Sequence, residues 1–328
     1  MKEQEIRNRK SMNRYLELLE DDCRLIVRDK AHFTAVLCPA CKLDEFDKQF
    51  QKNGFDYVLC RNCGTLYANP RPSPELLEKL YKDSKSSKFW VEEFFKPVAE
   101  ARREKIFKPR AQFVAGTVDI KPDWMIGDVG AGFGLFLEEL SKIVPSVRTV
   151  AIEPSPDMAK ICKEKNIEVI ESMLEEVKGY NGKFNMLTAF ELFEHLFDPA
   201  VFLEKIRSLL VKGGYFLLTT LNAEGFDIEV LWEKSKGIMP PHHINFFNPD
   251  SIRALLKSSG FEVESVSTPG KLDWDIVEGM IKEDGFKGDR FWTLLSEKGN
   301  ETAKKELQAW IGKYNFSSHM RVLARSVK

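Results

Sequence analysis

Apolar side chains at Met12, Tyr15, Leu16, Leu19, Cys23, Ile26 and Val27 recur at three- and four-residue steps. That spacing predicts a helix with one buried face, running to about Lys30. Cys23 falls on the apolar face and reads as core rather than as a reactive thiol. From about Asp123 the pattern changes to short apolar runs: "WMIGDV", "RTVAIE", "IEVI", "FNMLTAF", "YFLLTTL", "FEVESV" and "MRVLAR". Helical stretches between them begin at Phe133, Pro156, Pro199 and Asn248, and all but the first have a proline or cap-like residue at the start. Strands alternating with helices predict a parallel α/β sheet. A polar, helical stretch near 271–316 interrupts the final strand pair.

Between the helix and the sheet lie "CPAC", eighteen residues, and "CRNC". The intervening sequence has Asn53-Gly54 between strand-like residues, the favoured pair for a two-residue hairpin turn. Each Cys-x-x-Cys is a knuckle that brings two thiolates to one side of a tight loop. Gly64 after Cys63 suits such a loop, whereas Lys42 after Cys41 departs from it. Cys38, Cys41, Cys60 and Cys63 therefore read as four tetrahedral sulfur ligands of a structural Zn²⁺, with no open position for catalysis. The other thiol, Cys162, sits in a helical run and reads as core.

Composition adds mainly exclusions. The 328 residues are 43% hydrophobic and 30% charged, an ordinary globular balance. Forty-nine basic and fifty acidic residues give a net charge of −1, so no nucleic-acid partner is expected. The start, "MKEQEIRNRK", has no signal-peptide core and no run of eighteen apolar residues occurs, so no membrane span and a cytoplasmic location are expected. Prolines at 70, 72 and 74 end the ribbon and start a helix. The basic cluster Arg102, Arg103, Lys105, Lys108 and Arg110 reads as a solvated helix face, and the aromatic residues before it as a lid.

The stretch "IGDVGAGFG" carries the chemistry. Gly130, Gly132 and Gly134 alternate, and Leu135 stands where a dinucleotide fingerprint needs its third glycine. The Gly-Lys-Ser/Thr of a phosphate loop is also absent. Glu153 ends the second strand twenty-five residues after Asp128, where an acid accepts ribose hydroxyls in nucleotide-binding sheets. A ribose-bearing cofactor without pyrophosphate is indicated.

"DVGAGFG" resembles the glycine motif of class I S-adenosylmethionine-dependent methyltransferases. The resemblance continues in order through "AIEPS", "AFELFEHLFDP", "SLLVKGGYFLLTTLN" and "HHINFFNPDSIRALLKSSGFEV", roughly Asp123 to Val263. The cysteine hairpin followed by "NPRPSPELLEKLY" is similar to the amino-terminal module of a bacterial subgroup that often acts on sugars, nucleotide-linked sugars or glycans. The resemblance implies a Rossmann-like sheet of seven strands, the last antiparallel and inserted beside the fifth. It also implies cofactor contacts from the glycine loop, Asp128, Gly130, Ala131, Gly132 and Gly134, at the methionine end, and a further cofactor contact from Glu191. Glu153 and Pro154 would serve the ribose, and Ser172 and Met173 the adenine.

Methyl transfer is an in-line displacement that requires positioning, exclusion of water and, for a hydroxyl acceptor, a base. Candidate bases are Glu191, Glu194 and His195 after the fourth strand, and His242 and His243 before "INFF". Of five histidines only His32 and His319 lie elsewhere. Loops at strand carboxyl ends favour functional residues, and His243 is the leading candidate.

The expected organisation is a helical segment over 1–34, a zinc ribbon over 35–70 and a helical linker or lid over 71–122. The methyltransferase domain would occupy 123–328, with the helical insertion near 271–316. The expected function is methyl transfer from S-adenosylmethionine to a small polar acceptor, such as a sugar, nucleotide-sugar or glycan hydroxyl. Two other readings are an RNA methyltransferase gripping its substrate with the ribbon, and a non-catalytic scaffold with a relic cofactor site.

Overall fold

The computed structural model describes residues 2–327. Strands β1 (Phe33–Thr34), β2 (Phe46–Lys52), β3 (Phe55–Cys60), β4 (Leu66–Ala68) and β5 (Arg71–Pro72) come first. They are followed by β6 (Met125–Val129), β7 (Arg148–Ile152), β8 (Glu168–Ile170), β9 (Phe184–Phe190) and β10 (Leu210–Leu221). The last three are β11 (Asn245–Phe246), β12 (Phe261–Ser267) and β13 (His319–Ser326). The chain forms two compact units, neither of them continuous in sequence.

The first unit comprises residues up to Val98, Thr220–Ile252 and Ser267–Arg321. Its amino-terminal helix, Arg9–Arg28, begins at Asn8, whose side chain accepts from the Ser11 N–H, and buries Met12, Tyr15, Leu19 and Cys23. The Asn53-Gly54 turn has φ of 48° and 84°, the left-handed pair that a two-residue hairpin demands, and it joins β2 to β3. The resulting sheet has the order β11-β4-β3-β2. Its outermost strand, β11, comes from far along the chain and pairs antiparallel with β4, Asn245 opposite Tyr67 and Phe246 opposite Leu66. Phe55, Tyr57, Val58, Leu66, Tyr67, Phe246 and Phe247 are wholly buried, so this small sheet has an apolar core of its own. Helices Asp273–Glu283, Arg290–Lys298 and Glu301–Lys313 also belong to this unit, packed around Leu231, Trp274, Val277 and Met280.

The second unit comprises Ala99–Thr219, Arg253–Val266 and Val322–Lys328. It carries the seven-stranded sheet, ordered β12-β13-β10-β9-β6-β7-β8, with β10, β9, β6, β7 and β8 parallel along their neighbours. The final strand is inserted between β12 and β10, and this is the Rossmann-like methyltransferase order. Both faces are covered, which is why the strands read as unbroken apolar runs rather than alternating ones. Ile126, Phe136, Leu140, Ala151, Met186 and Leu217 form the core, joined by Ala111 and Val114 of the helix Lys108–Thr117. Among the described residues no helix is long and apolar enough to cross a membrane.

Candidate active site

In the second unit the glycine loop links β6 to the helix Leu135–Ile143. Gly130, Gly132 and Gly134 all adopt positive φ, of 68°, 54° and 66°. Two of them have different reasons for being glycine. A Cβ on Gly134 would lie 2.7 Å from Ile167 Cδ1 and 3.0 Å from Cys162 Sγ, so this glycine admits close packing beneath the helix. A Cβ on Gly132 would meet nothing within 4 Å, so the space beside it is open. Cys162, in the buried core, donates its thiol to the Gly132 carbonyl at 3.2 Å and supports the loop from below.

Glu153 stands at the end of β7 and is buried. Its Oε2 accepts from the Gly132 N–H at 2.7 Å, and its Oε1 from the Ser155 N–H at 2.9 Å. Burial raises its pKa, and the two N–H donors oppose that shift. Each oxygen still has a lone pair available for a ligand hydroxyl. Pro154 is exposed and Ala131 half-buried. After β8, Ser172 has a buried Oγ with no hydrogen-bond partner among the described residues, and Met173 is exposed.

Asp128 is buried at the end of β6 and accepts from Thr188 Oγ1 at 2.6 Å. Burial pushes its carboxyl up to about 7, against the pull of that hydroxyl and of nearby Arg110. Glu191, after β9, has φ of 52° and accepts from Thr219 Oγ1 at 2.8 Å. It also forms an ion pair with Arg110, Nη2 to Oε1 at 2.6 Å. The Arg110 guanidinium lies 4.7 Å from the Phe190 ring centroid, a cation–π distance.

Arg110 is a correction to the reading of 102–110 as a solvated face. Its side chain is 13% exposed. Arg103 is likewise sequestered, 2.9 Å from both Glu138 and Glu139. Tertiary carboxylates far along the chain capture both guanidinium groups, and charge spacing on one helix does not reveal them. The signal that could have found Arg110 is "AFE": an aromatic residue and an acid at a strand end offer an arginine both a stack and a pair.

The candidate bases fall in both units. In the second, Phe193–His195 is a 3₁₀ turn in which Glu194 is buried and His195 half-buried. In the first, His243 is half-buried and its Nδ1 lies 2.7 Å from the Gly237 carbonyl. A carbonyl can only accept, so Nδ1 carries a proton, and in the neutral ring the lone pair is then on Nε2. Tyr57 Oη donates to the His243 carbonyl at 2.7 Å. His242, by contrast, is buried against Tyr15, with ring centroids 6.4 Å apart, and burial pushes its pKa down to about 3.

The four cysteines are gathered in the ribbon, their sulfurs within 4.8 Å of one another. Cys38 and Cys63 are 3.5 Å apart, as are Cys41 and Cys60. Lys42 N donates to the Cys38 carbonyl and Gly64 N to the Cys60 carbonyl, closing both knuckles. Lys42 adopts φ of 61°, so here a lysine takes the left-handed position that glycine holds in the second knuckle.

A seven-stranded sheet with its last strand inserted between β12 and β10, a glycine loop after β6 and a held carboxylate after β7 is the arrangement of the class I S-adenosylmethionine-dependent methyltransferases. Residues 99–266 match the methyltransferase domain family, and the chain belongs to that family. It is 28% identical over 153 residues to the ubiquinone biosynthesis O-methyltransferase of Xanthomonas euvesicatoria pv. vesicatoria strain 85-10. That alignment covers 43% of this chain and 63% of the relative, under two thirds of its length. The protein of the same name from Xanthomonas campestris pv. campestris strain B100 is 27% identical over 171 residues, 48% of this chain and 70% of the relative. In fold, the chain is similar to one solved in a complex of the Haloferax volcanii Trm112 methyltransferase activator with a methyltransferase. The TM-score is 0.51 at 12% identity, over 73% of this chain and 96% of that one.

Proposed function

We propose that the protein transfers a methyl group from S-adenosylmethionine to a hydroxyl of a small polar acceptor of the sugar or nucleotide-sugar class. The observation that carries the cofactor assignment is the Glu153 carboxylate, pinned by Gly132 and Ser155 N–H groups beside an open glycine loop. Glu153 binds the two ribose hydroxyls. Ser172 supplies its partnerless hydroxyl at the adenine, and Met173 and Pro154 offer apolar cover. The Arg110 guanidinium takes the cofactor carboxylate, and Glu191 and Asp128 take the ammonium. When bound, the cofactor supplies a methyl group on a positively charged sulfur.

His243 is the base. With Nδ1 donating to Gly237, Nε2 would take the proton of an acceptor hydroxyl, and the bound cofactor would supply the methyl group. Relatives named as O-methyltransferases support an oxygen acceptor. The resemblance of the ribbon and "NPRPSPELLEKLY" to a sugar-modifying subgroup supports the substrate class.

The cysteine cluster holds a structural zinc in this reading. Zinc–sulfur bonds of about 2.3 Å in a tetrahedron put sulfurs roughly 3.8 Å apart, and the spacing here fits that cage. Calorimetry with S-adenosylmethionine, then methyl transfer from labelled cofactor to a panel of sugars and nucleotide-sugars, tests the proposal. Absence of cofactor binding sinks it, whereas labelling of RNA alone moves the substrate to a different class.

A further inference from the structure

The histidine loop is built into the zinc ribbon's sheet. β11 begins two residues after His243 and pairs with β4, which itself leaves the Cys60–Cys63 knuckle by way of Thr65. Ala68 N donates to the Ile244 carbonyl at 3.0 Å, and Tyr57 Oη to the His243 carbonyl. On the far side of the loop, Asn248 has a divided task. Its Oδ1 accepts from Asp250 N at 3.1 Å and Ser251 N at 2.7 Å, capping the helix Pro249–Ser258. Its Nδ2 donates to the Cys63 carbonyl at 2.9 Å. The knuckle accommodates that amide because residue 64 lacks a side chain: a Cβ there would lie 2.7 Å from Asn248 Nδ2.

We propose that Asn248 is a positioning residue that ties the Cys60–Cys63 knuckle to the His243 loop, so that closure of the metal cage fixes the base. The inference rests on the reading of His243 as base and of the four cysteines as a zinc site. Asn248 is buried; its amide reaches the knuckle carbonyl and also hydrogen-bonds the Glu224 carboxylate, while the cap uses the side-chain oxygen. The two tasks are therefore separable by substitution. Serine keeps the capping oxygen but is too short to reach Cys63, and aspartate keeps shape and cap but lacks the donor; both also lose the bond to Glu224, which aspartate faces with a like charge.

The test uses full-length protein and three measurements on wild type, Asn248→Ser and Asn248→Asp. Zinc release to a colorimetric chelator should accelerate by about five- to tenfold in both variants, the scale of one lost hydrogen bond. Amide exchange across 237–247 should rise in both variants, and in wild type stripped of metal, while the helix Pro249–Ser258 keeps its protection. The ring resonances of His243, assigned by their loss in His243→Ala, should shift in the same samples. Unchanged release and loop protection in both variants overturns the proposal, as does equal loss of protection in the capped helix. If His243 is not the base, His243→Ala retains full turnover while these three measurements still respond, so the two failures are told apart.

Discussion

Gly132 N–H donates to Glu153 Oε2 at 2.7 Å, so the glycine loop and the acid at the next strand end form one unit. The loop holds the carboxylate and the carboxylate holds the loop. Glu153→Ala should weaken S-adenosylmethionine binding by roughly 1.5–3 kcal/mol, the scale of charge-assisted bonds to hydroxyls. Calorimetry measures it, and unchanged affinity would remove Glu153 from the site.

Gly132 and Gly134 should fail differently. Gly134→Ala forces a methyl against Ile167 and Cys162 and should lower stability by roughly 1–3 kcal/mol. Gly132→Ala clashes with nothing in the protein, so it should lose cofactor affinity with a smaller stability change, about 1 kcal/mol of backbone strain. Thermal midpoints and calorimetry, run on both variants, separate the two effects. Wild-type affinity in Gly132→Ala would mean that its open side is not where the cofactor lies.

Arg110→Ala removes the partner of Glu191 and the stack on Phe190. Cofactor affinity should fall by about tenfold or more, and Arg110→Lys should restore little of it, because a point charge lacks the planar fork. A homologue of the cofactor without its carboxylate should bind wild type and Arg110→Ala almost equally. If that analogue still distinguishes them, Arg110 acts through the fold.

The glycine loop, Glu153 and the cysteine knuckles are legible in sequence because each depends on local spacing. The seven strands are legible too, since burial on both faces writes them as apolar runs such as "FNMLTAF". Arg110 is not: its meaning comes from Glu191, 81 residues away. Asn248 reads only as a helix start, and its second bond, 185 residues back to Cys63, leaves no periodic trace. The neighbouring histidines look equivalent in "PPHHINFF", yet the chain buries one ring against Tyr15 and leaves the other half-exposed.

That difference sets the next expectation. His243→Ala should lower turnover by about 10²–10⁴-fold with cofactor affinity nearly unchanged. His242→Gln should act on stability more than on turnover. Single-turnover kinetics with the true acceptor decide the matter, and full activity in His243→Ala would shift attention to Glu194 and His195.

His242 also implies a pH dependence. Burial lowers its pKa from 6.5 to about 3, so the unfolded chain binds a proton where the folded chain does not. Its stabilising contribution is present above about pH 6.5 and is lost as pH falls toward about 3. Denaturation midpoints measured from about pH 7 to 4 should therefore fall less steeply in His242→Gln than in wild type. Parallel curves would show that the ring is protonated at no cost in the folded protein.

Freshly purified protein should carry about one zinc per chain, and Cys60→Ser should lower both metal content and thermal midpoint. Metal analysis of unstripped protein checks this, and a fully folded, zinc-free chain would contradict it.

His243 follows Tyr57 by 186 residues, yet Tyr57 Oη in β3 donates to its carbonyl, two residues before β11 begins. A ribosome adding about 5–20 residues per second needs roughly ten to forty seconds to cover that distance. Throughout that interval the residues of β2, β3 and β4 have been synthesised while β4 lacks the neighbour that β11 will provide, and such an edge is open to any stray strand. The first part of the sheet to be synthesised is thus among the last to be completed. A nascent chain must shelter that edge until the histidine loop emerges from the tunnel.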